Sequence, residues 1–334
     1  MSSLRRIIAV PAPIALLCLF ACSLCISCHK PPQPSQVILQ REWTANAEFA
    51  GDVWAEEKAP QHGIRLTVKE GSEVIDPVKV VRSGEAQFGI ASADRILREN
   101  ERGADLLILA TSTYKSPVVF LSHPKDNIRT PRDFIGKRVG IQSGTNTELV
   151  LKSLLRSQHL DPARMKIVES GWGTATFQTG DLDVLGAFDY DEPVQLELKG
   201  IPVSAIRPEE YGVHYVGTVY FTRRSLAQQQ PALVQAFINS LVDGWRSALA
   251  DPHTAIAKLV AQFKDIDSTK ETKSLLIGRE YFEGENGKLL YASPMRWQEM
   301  ADNLKALGLL RSFDFNQNVD YRFLETSLSR GPRQ

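Results

Sequence analysis

From residue 37 onward the chain alternates short β-rich runs with stretches of helical period, and that alternation confines it to an α/β fold with mostly parallel strands. The β-rich runs fall at residues 37–43, 64–68, 87–91, 106–110, 118–121, 138–141, 166–168, 184–188 and 202–206, and residues 214–221 are extended. Between them, residues 49–58 have helical period and are stopped by Pro60 and Gly63, residues 76–82 are closed by Gly84, and residues 147–158 form a third helix. After Ser225 the pattern is helical, at residues 231–249, 254–263, 269–282 and 294–307. Two α/β units and a helical tail predict two lobes, residues 37–118 with 220–334 and residues 119–219, with crossings near 116–122 and 216–222. A cleft between lobes, at strand ends and helix starts, is where such a fold takes small molecules.

The N-terminal stretch supplies an address. Arg5-Arg6 precedes an apolar run to Phe20, and Leu19-Phe20-Ala21-Cys22 resembles the lipobox of an exported lipoprotein. Cys28, after Cys25-Ile26-Ser27, is the alternative lipidated residue. An uncleaved membrane anchor is the competing reading, opposed by Pro11 and Pro13 inside the run. Residues 1–28 thus read as a lipoprotein-type signal and residues 29–36, rich in proline, as a tether. The body is expected outside the cytoplasmic membrane, held to the cell envelope by an N-terminal lipid. All four cysteines, Cys18, Cys22, Cys25 and Cys28, lie in this stretch, so the body reaches an oxidising compartment without disulfides.

Lysine plus arginine equals aspartate plus glutamate at 39 each, leaving no basic surplus to attract nucleic acid. The six histidines are scattered, with no zinc-type spacing, and there is no Gly-x-Ser-x-Gly elbow or complete phosphate-binding loop. The acidic residues Asp181, Asp183, Asp189, Asp191 and Glu192 lack the glycine and terminal glutamate of a calcium loop. These absences point to a binder rather than an enzyme, without cofactor or metal and expected to be a monomer.

Trp43-Thr44-Ala45-Asn46-Ala47-Glu48-Phe49-Ala50-Gly51 resembles the thiamine-pyrimidine-precursor branch of ABC-transporter substrate-binding proteins, whose fold is shared by nitrate, sulfonate and taurine binders. The resemblance continues through residues 63–68, Asp76-Pro77, 83–90 and 133–140, and returns at Asp191-Glu192-Pro193, Tyr211-Gly212-Val213 and 231–234. It implies a type II periplasmic-binding-protein fold that closes on a small molecule and delivers it to a membrane permease. The ligand so implied is a small heteroaromatic metabolite, a thiamine pyrimidine precursor, with a nitrate, sulfonate or taurine-type anion as the alternative. A pyrimidine-forming enzyme of the same fold would need a cysteine-rich iron motif, and the body carries no cysteine. A module that signals to a sensor protein is a further alternative.

A flat heteroaromatic ligand needs aromatic faces and a few directed polar groups. Trp43, Asn46 and Phe49 stand at the first strand-to-helix junction, where Asn46 either caps the helix or meets ligand. Ser92 follows the third strand as a cap or hydroxyl donor, and Tyr114 precedes the crossover as a cover. Ser143, Gly144 and Thr145 precede a helix whose free amides form an anion or carbonyl site or a capped turn. Trp172 sits in a glycine-flanked loop facing ligand or the opposite lobe. Asp189, Tyr190 and Glu192 follow a strand at the cleft edge, where a carboxylate accepts from an aminopyrimidine and has little use for a sulfonate. Glu192 is the position matching the family's Glu-Pro pattern.

Overall fold

The computed structural model describes residues 34–331. Cys22, Cys28 and the signal lie outside the described residues. Among the described residues ten strands form two five-stranded sheets: β1 (Ser35–Gln40), β2 (Ile64–Lys69), β3 (Phe88–Ser92), β4 (Leu106–Thr111) and β10 (Thr218–Arg223) in the first, and β5 (Val118–Ser122), β6 (Arg138–Ile141), β7 (Lys166–Glu169), β8 (Val184–Phe188) and β9 (Ser204–Ile206) in the second. Their orders are β2-β1-β3-β10-β4 and β7-β6-β8-β5-β9. Parallel pairs join β1 to β2 and β3, and β6 to β7 and β8, whereas β10 and β5 run antiparallel to their neighbours. The chain leaves the first sheet after Thr111, enters the second at Val118, and comes back between Ile206 and Thr218.

Each sheet is covered by helices, as parallel strands buried on both faces require. The 20-residue helix Pro231–Ala250 presses against Ala50–Lys58, and Gly51 and Gly244 let the two backbones approach. A Cβ on Gly51 would meet the Trp245 ring at 2.2 Å. Burial of β4 and β5 at every position explains their unbroken apolar runs. The main buried cluster draws side chains from both sheets, from Leu39 and Phe88 to Val139 and Leu154. A smaller one, with Phe177, Leu185 and Leu196, lies against the second sheet.

The first strand is shorter at its end than the β-rich run predicts. It stops at Gln40, opposite Lys69, because Arg41 turns inward to meet Asp52 at 3.1 Å, both side chains fully buried. Ser35 and Gln36, read from sequence as tether, instead pair with Ile64 and Arg65. The extended run before Ser225 likewise pairs later, as Thr218–Arg223. Helices Glu192–Leu198, Arg224–Gln229 and Arg322–Leu328 go beyond the sequence reading. No helix among the described residues is long and apolar enough to cross a membrane.

Candidate ligand-binding site

A cavity of 720 Å³ opens between the sheets, lined from the first by the segment after β1 and the end of β3, and from the second by loops after β6, β7 and β8. The Arg41–Asp52 anchor fixes the bend after β1, so Glu42 and Trp43 face the cavity. Asn46 then caps a 3-10 turn, Ala47–Phe49, its Oδ1 accepting from the Glu48 amide at 2.8 Å. That turn brings the Glu48 side chain inside. The loop before the second helix closes on this segment through the Gly71 amide, which donates to Trp43 O at 2.9 Å. A Cβ on Gly71 would stand 2.2 Å from the Glu42 backbone, so only glycine permits the approach.

Glu48 accepts from the Thr218 hydroxyl, and Glu42 Oε2 accepts from the Ser92 amide at 3.2 Å. Burial, then the neighbouring Glu48, pushes the half-buried Glu42 carboxyl up to about 8. Burial likewise raises the Glu48 carboxyl to about 7, against the Thr218 bond, with Asp52 and Asp191 adding repulsion. Glu192 accepts from the Phe188 amide at 2.8 Å, and burial together with Asp191 raises it too. Burial thus shifts all three carboxyls towards the protonated form near neutral pH, and a protonated carboxyl both donates and accepts. Beside them the Tyr190 hydroxyl is buried without a hydrogen-bond partner, as are Asn146 Oδ1 and Asp94 Oδ1. Among the described residues lining the cavity the basic ones are Arg95, held by Asp76 at 2.6 Å, and Arg98, which reaches Asp94 at 3.3 Å.

The structure brings together Trp43, Asn46, Ser92, Gly144, Thr145, Trp172, Tyr190 and Glu192 on this cavity. Trp43 and Trp172 meet from opposite sheets, ring centroids 4.5 Å apart, and Trp172 remains 52% exposed. Positive φ at Gly171 and Gly173 turns the chain sharply on both sides of Trp172, which presents it at the mouth. Asn46 both caps and lines, so the two readings of it are compatible.

Four expected residues are elsewhere. Phe49 is fully buried, its ring under the Arg41 guanidinium at 4.9 Å, because the 3-10 turn that points Glu48 inward sends the next side chain into the core. Tyr114 is covered by Arg296 at 5.3 Å and lies off the cavity. Asp189 is consumed by Arg207, at 2.9 and 3.1 Å, and by the Tyr281 hydroxyl at 2.8 Å. Ser143 is exposed off the cavity, in a loop whose first two amides are taken within the chain. The Ser143 amide donates to Glu169 at 3.0 Å and the Gly144 amide to Glu148 at 2.7 Å, while the Thr145 hydroxyl turns back to Gln142 O at 2.7 Å. The chain's own carboxylates thus hold the loop ahead of helix Asn146–Ser157, whose N-cap, Thr145, makes no side-chain cap bond.

Sequence reasoning missed Glu42 and Glu48 as site residues, with Gln142, Asp191 and Thr218. A signal for the first two existed, since two acidic residues flank the aromatic strand-to-helix junction. Thr218 joins them across 170 residues of sequence, which no local pattern reports.

Two covered sheets, crossed twice by the chain and separated by a cleft, define the periplasmic-binding-protein class. The fold superposes on the periplasmic aliphatic sulphonate binding protein SsuA from Escherichia coli with a TM-score of 0.67 and 16% identity, covering 86% of this chain and 92% of that one. Residues 46–255 match the NMT1/THI5-like family, and the chain belongs to that family. It is 24% identical to a putative thiamine biosynthesis protein of Haemophilus influenzae over 53% of this chain and 58% of that one, and 25% identical to the taurine-binding periplasmic protein of E. coli over 52% and 55%. The chain thus spans little more than half the length of these two relatives. A riboflavin-binding protein of Chloroflexus aurantiacus is 22% identical over 84% of this chain and 83% of its own.

Proposed function

We propose that this chain is an extracytoplasmic solute-binding protein that takes a nitrogen heteroaromatic of aminopyrimidine type from solution and hands it to an ABC importer, without chemical turnover. The observation that carries the ligand class is the set of three proton-holding carboxyls, Glu42, Glu48 and Glu192, on a cavity whose arginines are already paired. An aminopyrimidine edge presents an N–H donor beside a ring-nitrogen acceptor. A carboxylic acid matches both with its carbonyl and its O–H, and one proton shared by the pair serves whichever partner holds it. A sulfonate or nitrate would find no unpaired cation among the described residues that line the cavity, and the Ser143 and Gly144 amides ahead of the helix opposite are taken by Glu169 and Glu148. Trp43 and Trp172 supply aromatic faces at the mouth.

A lipid on Cys22, or on Cys28, would keep the protein beside its permease. One observation favours a second reading, a fused heteroaromatic of flavin size: the cavity, at 720 Å³, lies well within the range for ligands larger than one ring. Native mass spectrometry of the freshly purified full chain, followed by denaturation and identification of the released molecule, tests the proposal. A nitrogen heteroaromatic is the expected result; a released sulfonate would overturn the ligand class.

A further inference from the structure

We propose that Lys270, on the helix Ser268–Phe282, is a positioning residue for the cleft: with its neighbour Glu271 it straps both walls to one helix and supplies the positive charge around which the acidic wall assembles. The inference rests on the reading of this cavity as the ligand site. Lys270 Nζ pairs with Asp191, which lines the cavity at the head of helix Glu192–Leu198, on the second-sheet side. It also reaches Glu271 Oε1 at 2.8 Å. Glu271 Oε2 accepts from the Ala47 amide at 2.7 Å, in the 3-10 turn that carries Glu48 on the first-sheet side. Two adjacent residues of one helix therefore hold opposite walls.

The same helix is fastened to the second wall twice more, by Tyr281 to Asp189 at 2.8 Å and by Lys273 to Glu197 at 2.6 Å. Lys115, in the crossing between sheets, reaches Glu280 at 3.3 Å. These other contacts are anchoring. Lys270 differs because its side chain is enclosed, 13% exposed, and acts on Asp191 and Glu192 at the head of the neighbouring helix and on Glu271 of its own, while Asp191 in turn acts on Tyr190 and on Glu48 of the 3-10 turn. Burial pulls the Lys270 pKa down, but the carboxylates of Asp191 and Glu271 outweigh it and leave the ammonium charged. Without that cation the facing carboxyls repel one another as they ionise, and the repulsion grows as pH rises.

The test needs no ligand, so its outcome and that of the ligand assignment are independent. Lys270→Met keeps the aliphatic stem and removes the charge; Lys270→Arg keeps the charge. Thermal melting of the ligand-free full chain at pH 5.5 and 8.5 is read together with small-angle scattering. Lys270→Met should lower Tm by about 5 °C more at pH 8.5 than at pH 5.5 and raise the radius of gyration at pH 8.5, with Lys270→Arg within about 2 °C of the wild type at both. A Met variant folded at pH 5.5 but unfolded at 8.5 is the same result in stronger form. An equal Tm deficit at both pH values, unfolding at both, or an unchanged radius at pH 8.5 would overturn the strap.

Discussion

Glu148, off the cavity beside the second-sheet wall, and the carboxyls that line the cavity, Glu42 and Glu48 from the first wall and Glu192 from the second, are treated in opposite ways. Glu148 is satisfied: the Lys152 ammonium and, after it, the Gly144 amide hold its carboxyl below the usual range. On the first-sheet wall Glu42 and Glu48 each take one donor from the protein, and burial lifts them to about 8 and about 7. The contrast shows that a carboxylate given a partner cation stays ionised, whereas one enclosed without a cation is pushed towards its protonated form.

Weakening the enclosed carboxyls should have the largest effect. Glu48→Gln keeps an acceptor for Thr218 and removes the exchangeable carboxyl proton; the affinity for a 4-aminopyrimidine, measured by calorimetry, should fall roughly 10- to 100-fold, as a mismatch that leaves a buried donor or acceptor unpaired does. Next comes pH. Above about 8 both Glu42 and Glu48 have lost the shared proton, so affinity should fall about tenfold between pH 7 and pH 9. An affinity that is flat or rising over that interval would break the comparison.

The same groups shape stability without ligand. Their folded pKa values lie above the unfolded ones, so the folded state retains protons that the unfolded chain has released, and stability falls as pH rises from about 4.5 to about 8. Differential scanning calorimetry should show Tm dropping by roughly 5 °C across that window. Asp133 and Asp183, held low by hydrogen bonds, are ionised throughout it and leave the trend unopposed.

Smaller effects sharpen the contrast. Tyr190→Phe deletes a buried hydroxyl that has no protein partner; aminopyrimidine affinity should fall roughly fivefold while Tm holds or rises, because an unsatisfied group disappears. Glu148→Gln acts on the satisfied carboxylate and should leave that affinity within about twofold, the size of an ordinary surface change.

Much of the frame was legible before any coordinates. Asp76-Pro77 with Gly84 bounds a helix whose cap geometry follows, Asp76 accepting from Val78 and Lys79 and Gly84 taking positive φ. Strand runs were legible because apolar residues alternate or continue according to burial. Inside the cleft, legibility ended where long-range partners decide the outcome. Ser143-Gly144-Thr145 looks locally like an open anion cradle, and Glu169, 26 residues on, closes it. Asp189 looks like a free carboxylate until Arg207 and Tyr281 arrive from distant segments. Glu48 reads as an ordinary first-turn acid; its pKa is raised first by burial and then by Asp52 and Asp191, against the Thr218 hydroxyl, and all of these come from the folded chain.

The central claim is that this cleft selects nitrogen-bearing donors over anions. Titrating the purified full chain at pH 7 with 4-amino-2-methylpyrimidine and, in parallel, with taurine tests it most directly. Saturable binding of the pyrimidine, weakened in Glu48→Gln, and no measurable heat from taurine are expected. Saturable taurine binding with none from the pyrimidine would contradict it.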